Sequence, residues 1–226
     1  MKAYILRIND PISIQYAKDA ADSCDRIGLK WEYFDGYMGD ARQAWISTGI
    51  EIANFDNFRA NNAKAQCCTA GHAHIWKKIA EGNEPAIVLE HDAIMLHYPK
   101  IQIPDDTLVV LGYKVSNPTQ YDHSTAGPPE KLVTVLGHEG AHAYALTPKT
   151  AQMYIDHLGK HGIKGAVDNI YFLKKRKIVP KNGSMITDPI CALGWIRQST
   201  IWGKSATRNY EPIGSFQQHW SGKKLC

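Results

Sequence analysis

Short apolar runs bounded by turn residues alternate along this chain with longer stretches of helical spacing. Ala3 to Ile8 predicts an opening strand, broken by Asn9-Asp10-Pro11. Across 12–27, Ile14, Ala17, Ala20, Ala21, Cys24 and Ile27 recur at mostly helical intervals, which predicts an amphipathic helix ending at Gly28. Trp31 to Phe34 predicts a second strand, with a turn at Asp35-Gly36. Residues 37–62 are polar and rich in Asn and aromatic residues, and predict a loop holding a short helix. Residues 64–81 predict a helix that buries Ala65, Cys68, Ala70, His72, Ile75, Trp76 and Ile79, closed by Gly82-Asn83. Ala86 to Leu89 then runs straight into Glu90-His91-Asp92, as a buried strand with an acidic carboxyl end would. Leu108 to Tyr113, Lys131 to Leu136 and Ala141 to Leu146 predict further strands, the first two separated by a Pro- and Gly-containing loop over 114–130. Thr147-Pro148 is a cap and first-turn pair for a helix to about 158. Another helix is expected over 166–175, and the tail from about 178 to 226 reads as irregular. Strands alternating with helices and no linker between them argue for one α/β domain over 1–226.

Composition narrows the class. With 226 residues, 44% of them apolar and 21% charged, the chain can build a substantial core. A net charge of +4 suits an anionic ligand, but a nucleic-acid binder would need more basic surface. The run Lys174 to Lys177 is therefore read as a solvated helix end. The five Cys include no C-x-x-C pair, which argues against a zinc ribbon and for reduced thiols in a cytoplasm. The start, MKAYILRINDP, has neither signal-peptide nor transmembrane character, and no apolar run is long enough to span a bilayer. Peripheral membrane association is compatible with these features. No Gly-rich phosphate loop supports an NTPase or a dehydrogenase.

Three clusters carry candidate chemistry. Glu90 and Asp92 are two apart, so on a continuous strand they face the same way and would repel unless a cation sat between them. In open α/β sheets ligands bind at that strand end, so the pair points to a hard divalent ion of the kind that holds nucleotide phosphates. His91 would face the other way. His138-Glu139-Gly140-Ala141-His142 matches the H-E-x-x-H of zinc hydrolases, but Gly137 and Gly140 disfavour the helix that motif needs. A turn between strands, with His142 near a ligand, is the favoured reading. His72 and His74 lie about 200° apart on a helix, which excludes joint metal binding. His72 then reads as a buried residue bonded to nearby backbone. Asp168 at a helix start is a cap, a base or an acceptor-binding carboxylate.

In this order the pieces resemble glycosyltransferase family 25, the lipooligosaccharide and procollagen galactosyltransferase group. The resemblance rests on the opening strand and helix followed by WEYFDGYMG, with its aromatic-Asp-Gly turn after the second strand, and on CCTAGHAHIWKKI, which is similar to the family's G-C-x-x-S-H-x-x-x-W. It rests equally on IVLEHDA, similar to a strand ending in E-D-D, on GAHAYALTPKTAQMYI, on AVDNIYF and on PICALGWIRQSTI. Gly71 stands where the family has Ser, and His91 where it has the middle Asp; the family's final Gln has no counterpart near Ala192 or Leu193. The resemblance implies a single GT-A-type, Rossmann-like α/β domain with a mixed, mostly parallel sheet flanked by helices. It implies an inverting transfer of galactose or glucose from a UDP-sugar to a glycan or protein hydroxyl, in the cytosol of a bacterium or a virus-infected host. Mn²⁺ or Mg²⁺ on Glu90 and Asp92, with His219 as a late ligand, would neutralise the departing diphosphate. Asp168, with Asp188 in reserve, would deprotonate or bind the acceptor. His72, Glu90, His142 and Tyr144 would bind the donor. Two other readings are a degenerate, non-catalytic nucleotide-sugar-binding protein, suggested by His91 and Gly71, and a zinc hydrolase using His138, Glu139 and His142.

Overall fold

A computed structural model describes residues 1–55, 62–111, 132–135, 141–163, 167, 184–186 and 191–193, the last two short runs and 133–135 by backbone alone. The opening strand β1 (Lys2–Arg7) feeds helix α1 (Pro11–Arg26), whose first turn is fixed by the Asp10 carboxylate accepting from the Ile12 and Ser13 amides. Pro11 needs no amide partner there. Gly28, at φ +69°, supplies the left-handed residue that turns the chain into β2 (Trp31–Asp35). Helix α2 (Ala41–Thr48) is the short helix expected within 37–62, and α3 (Ala63–Ala80) is the long one. Strand β3 (Ala86–Glu90) follows, then β4 (Ala93–Met95), β5 (Leu108–Val110), β6 (Val133–Val135), β7 (Ala143–Leu146) and helix α4 (Pro148–His161), capped by the Thr147 hydroxyl. Strands β8 (Ser184–Ile186) and β9 (Cys191–Leu193) complete the described elements.

Seven strands form one sheet in the order β2-β1-β3-β7-β5-β8-β6, and β4 pairs with β9 in a second, two-stranded sheet. The expected mixed α/β sheet is present, with its pairings evenly divided. β1 runs parallel to β2 and β3, and β5 to β8, whereas β3–β7, β5–β7 and β6–β8 are antiparallel. Period-two alternation sorts the strand residues between two cores. Ala3, Ile5, Ile87, Leu89, Ala143 and Ala145 pack with Ala17, Ala20, Ala21 and Cys24 of α1. Tyr4, Leu6, Val88, Tyr144 and Leu146 face the opposite way, against α2, α3 and α4. The result is a three-layer arrangement with the sheet in the middle.

Three expectations need correction. Within 178–226, where the sequence predicts irregular chain, β8 inserts between β5 and β6, and β9 pairs with β4. Three-residue strands carry too little periodicity to be read locally. The strand placed at Ala141 begins only at Ala143. Glu90 and Asp92 do not lie on one strand: β3 ends at Glu90, and His91-Asp92 is a turn into β4. The alternation that aligned the two carboxylates therefore stops before Asp92. The helix expected over 166–175 lies outside the described residues apart from Val167.

Candidate functional site at the carboxyl end of β3

Helix α3 crosses close over the carboxyl ends of β1 and β2. A Cβ on Gly71 would stand 3.0 Å from Leu6 Cδ1, and one on Gly36 would stand 2.9 Å from the same methyl. Two glycines thus leave room for one leucine, and the missing side chain at 71 lets α3 sit down on the sheet. The neighbouring His72 is carried into the core, fully buried.

There His72 links three elements. Its Nδ1 lies 2.8 Å from the Tyr144 hydroxyl on β7, and its Nε2 lies 3.2 Å from Glu90 Oε1 at the end of β3. The Trp76 indole N–H, one turn along α3, donates to the same Tyr144 oxygen at 2.8 Å. With a neutral imidazole, one arrangement satisfies the row: Tyr144 O–H donates to Nδ1, and Nε2–H donates to Glu90. The backbone-bonded role expected for His72 is therefore replaced by bonds to side chains. His74, as anticipated, faces elsewhere. Its Nδ1 is 2.6 Å from the Tyr37 hydroxyl, with its ring edge-on to Phe34.

Glu90 is 26% exposed and stands among imidazoles. Burial pushes its carboxyl up, but the hydrogen bond from His72 and the fields of His72, His91 and His142 outweigh this and leave it below the usual carboxylate range. His142 is directly opposite. The β3–β7 register pairs Leu89 with Ala143, and the Glu90 amide donates to the His142 carbonyl at 2.8 Å. Facing residues of an antiparallel pair share a sheet face. His142 is 2% exposed, and neither ring nitrogen has a hydrogen-bond partner. Burial drives its pKa down to about 4, against the opposing pull of Glu90. Tyr144 is fully buried, and burial raises its phenol well above the usual value. His91 turns toward α1 and stacks on Tyr16, with ring centroids 6.0 Å apart.

Sequence reasoning passed over Cys68. It lies one turn before His72 on α3, and its Sγ is 4.0 Å from Glu90 Oε1. Ligating atoms of Cys68, His72 and Glu90 all fall within 4.8 Å of one another. The i, i+4 spacing of Cys68 and His72 was the available signal. Asp92 is not in that group. Asp168, Asp188, His219, His138 and Glu139 lie outside the described residues. His142 lies on a bend just before β7, so the second His of H-E-x-x-H is not on the helix that a zinc hydrolase of that type requires.

Residues 12–171 match the sequence model of glycosyltransferase family 25 (LPS biosynthesis protein). No curated protein matches the chain. Among solved structures, the glycosyltransferase GlyE of Streptococcus pneumoniae TIGR4 is similar at 12% identity and a TM-score of 0.37, over 75% of this chain and 42% of that one. The chain thus spans less than half the length of that structure. A glycosyltransferase involved in glycosylation of the major capsid of PBCV-1 is similar at 10% identity and a TM-score of 0.36, over 82% of this chain and 81% of that one. The family match covers well over half the sequence, from α1 through α4, and the chain belongs to glycosyltransferase family 25.

Proposed function

We propose that this member of family 25 moves a hexosyl group, galactose or glucose, from a UDP-sugar to a hydroxyl of a glycan or protein, with inversion at the anomeric carbon. The observation that carries the reading is the family match, which contains the polar cluster at the carboxyl end of β3. Parallel β1 and β3 end side by side there, the edge at which open α/β sheets take their ligands. In the transfer, the acceptor oxygen attacks the anomeric carbon as the bond from that carbon to the β-phosphate oxygen breaks. UDP leaves with the electron pair, and a carboxylate takes the acceptor proton. Asp168, with Asp188 in reserve, is the proposed acceptor of that proton.

The donors next to Glu90 are a thiol and an imidazole, and Oε1 is already bonded to His72. They do not form the oxygen cage that Mg²⁺ demands. Mn²⁺ or Mg²⁺ that arrives with a nucleotide needs only one or two carboxylates besides the phosphates. Asp92, on the turn just beyond β3, is the proposed protein ligand, and such an ion would supply charge neutralisation for the departing diphosphate. Glu90 is better suited to hold His72 and the strand end in register. Among the described residues no helix is long and apolar enough to cross a membrane.

The test is UDP release from UDP-galactose, UDP-glucose and UDP-N-acetylglucosamine, with Mn²⁺ or with EDTA, for the native chain and Asp92→Ala. Release from a hexose donor, suppressed by EDTA and lowered at least tenfold in the variant, is the expected result. Neither release nor UDP binding with any donor would overturn the reading.

A further inference from the structure

The described part of the molecule holds one group of three metal-ligating side chains, and its chemistry differs from that of the Asp92 turn. Cys68 and His72 project from the same face of α3, one turn apart, and Glu90 meets them from the end of β3. The 3.2 Å between His72 Nε2 and Glu90 Oε1 is already close to the roughly 3.3 Å edge of a tetrahedral zinc site with nitrogen and oxygen ligands at about 2.0 Å. Cys68 Sγ lies 4.0 Å from Glu90 Oε1 and within 4.8 Å of the ligating His72 nitrogen, so the sulfur closes in when the ion binds. With Nε2 on the metal the His72 proton sits on Nδ1, which then donates to the Tyr144 oxygen, the reverse of the metal-free row; the Trp76 indole N–H holds the same oxygen in place. Metal-bound histidines are supported in this way.

A second, independent observation lies across the strand pair. His142 faces Glu90 through its backbone, its carbonyl accepting from the Glu90 amide; it is buried and leaves both ring nitrogens without a hydrogen-bond partner, and it stands outside the group of three, so its ring must swing toward them to complete the set. A buried imidazole with nothing to bond is destabilising, and a metal-ligand role removes that cost. We propose that Cys68, His72, Glu90 and His142 bind one Zn²⁺ ion in a closed, tetrahedral site that ties α3 to the ends of β3 and β7. The thiol proton is released on binding, and the ion meets one sulfur, two nitrogens and one oxygen. Mg²⁺ has no use for such a set, and Mn²⁺ binds it more weakly than Zn²⁺ does. Four protein ligands leave no open position, so the role is structural rather than catalytic.

This inference rests on side-chain geometry and not on the transferase reading. The test is Co²⁺ titration of the reduced, metal-stripped full chain, read by absorption. One equivalent should give a thiolate-to-cobalt charge-transfer band and the intense visible bands of a tetrahedral centre. Zn²⁺ should bleach both, whereas excess Mg²⁺ should not. Cys68→Ser should lose the charge-transfer band while Cys67→Ser keeps it. His142→Gln should weaken binding at least tenfold, and Asp92→Ala should leave the spectrum unchanged. Circular dichroism establishes that each variant is folded. A folded native chain with no charge-transfer band, or a band that survives Cys68→Ser, would overturn the proposal. No donor or acceptor is present in this assay, so its failure leaves UDP release to be judged separately.

Discussion

Tyr144→Phe isolates one oxygen atom at the centre of the site. The ring stays: Phe can keep the stacking on His72, now at 5.8 Å between centroids, and the packing beside Trp76. What goes is the hydroxyl that meets His72 Nδ1 and the Trp76 indole N–H, each at 2.8 Å. Both groups are fully buried, so water does not replace the lost partner. A buried polar group deprived of its bond costs about 1–3 kcal/mol, and two such groups give roughly 2–6 kcal/mol. For a chain of this size that lowers Tm by roughly 4–24 °C. Tyr37→Phe is the matched control. It removes a hydroxyl 2.6 Å from His74 Nδ1, but at a half-exposed position where water can take over, so its cost should stay below about 1 kcal/mol. Urea denaturation of the metal-stripped protein, followed by tryptophan fluorescence, gives both numbers. If Tyr144→Phe costs no more than Tyr37→Phe, the buried row is not a structural element and the argument built on it fails.

The close approach of α3 to β1 predicts that Gly71→Ser, which restores the family's residue, destabilises the chain by about 1–3 kcal/mol through contact with the Leu6 methyl. Leu6→Val removes that methyl, so the double variant should recover part of the loss, and strict additivity in a denaturation cycle would contradict the account. His74 gives a pH prediction. Burial, with the fields of Lys77 and Lys78, lowers its pKa, so the native state resists a proton that the unfolded chain accepts. Stability from this group is complete above the ordinary histidine value near 6.5 and is lost as pH falls through the lower native value. Melting curves between pH 7.5 and 5 should show a smaller acid loss for His74→Asn than for the native chain, and equal losses would refute the assignment.

Local patterning alone determined the strands and helices that alternate from β1 to β3, the break at Asn9-Asp10-Pro11, the cap at Thr147 and the glycine turn at Gly28, because a cap or an amphipathic face is decided within a few residues. The ordered motifs also disclosed the family, which the match over 12–171 shows. Three-residue β8 and β9 escaped notice because a run that short is stabilised by its neighbours in the sheet and not by its own sequence. The candidate site divides in the same way. His72 and Glu90 stood out as residue types, but the Glu90–Asp92 pairing assumed a strand that continues, and the chain turns after Glu90. Tyr144 lies 72 residues from His72 along the chain and 2.8 Å from it in space. His142 faces Glu90 only because β7 pairs antiparallel with β3 in one register, and a slip of one residue would turn it to the α1 side. Sequence supplied the chemistry of each side chain. Which of them meet was decided by sheet register and by how closely α3 packs on β1, which are properties of contacts far apart in the chain.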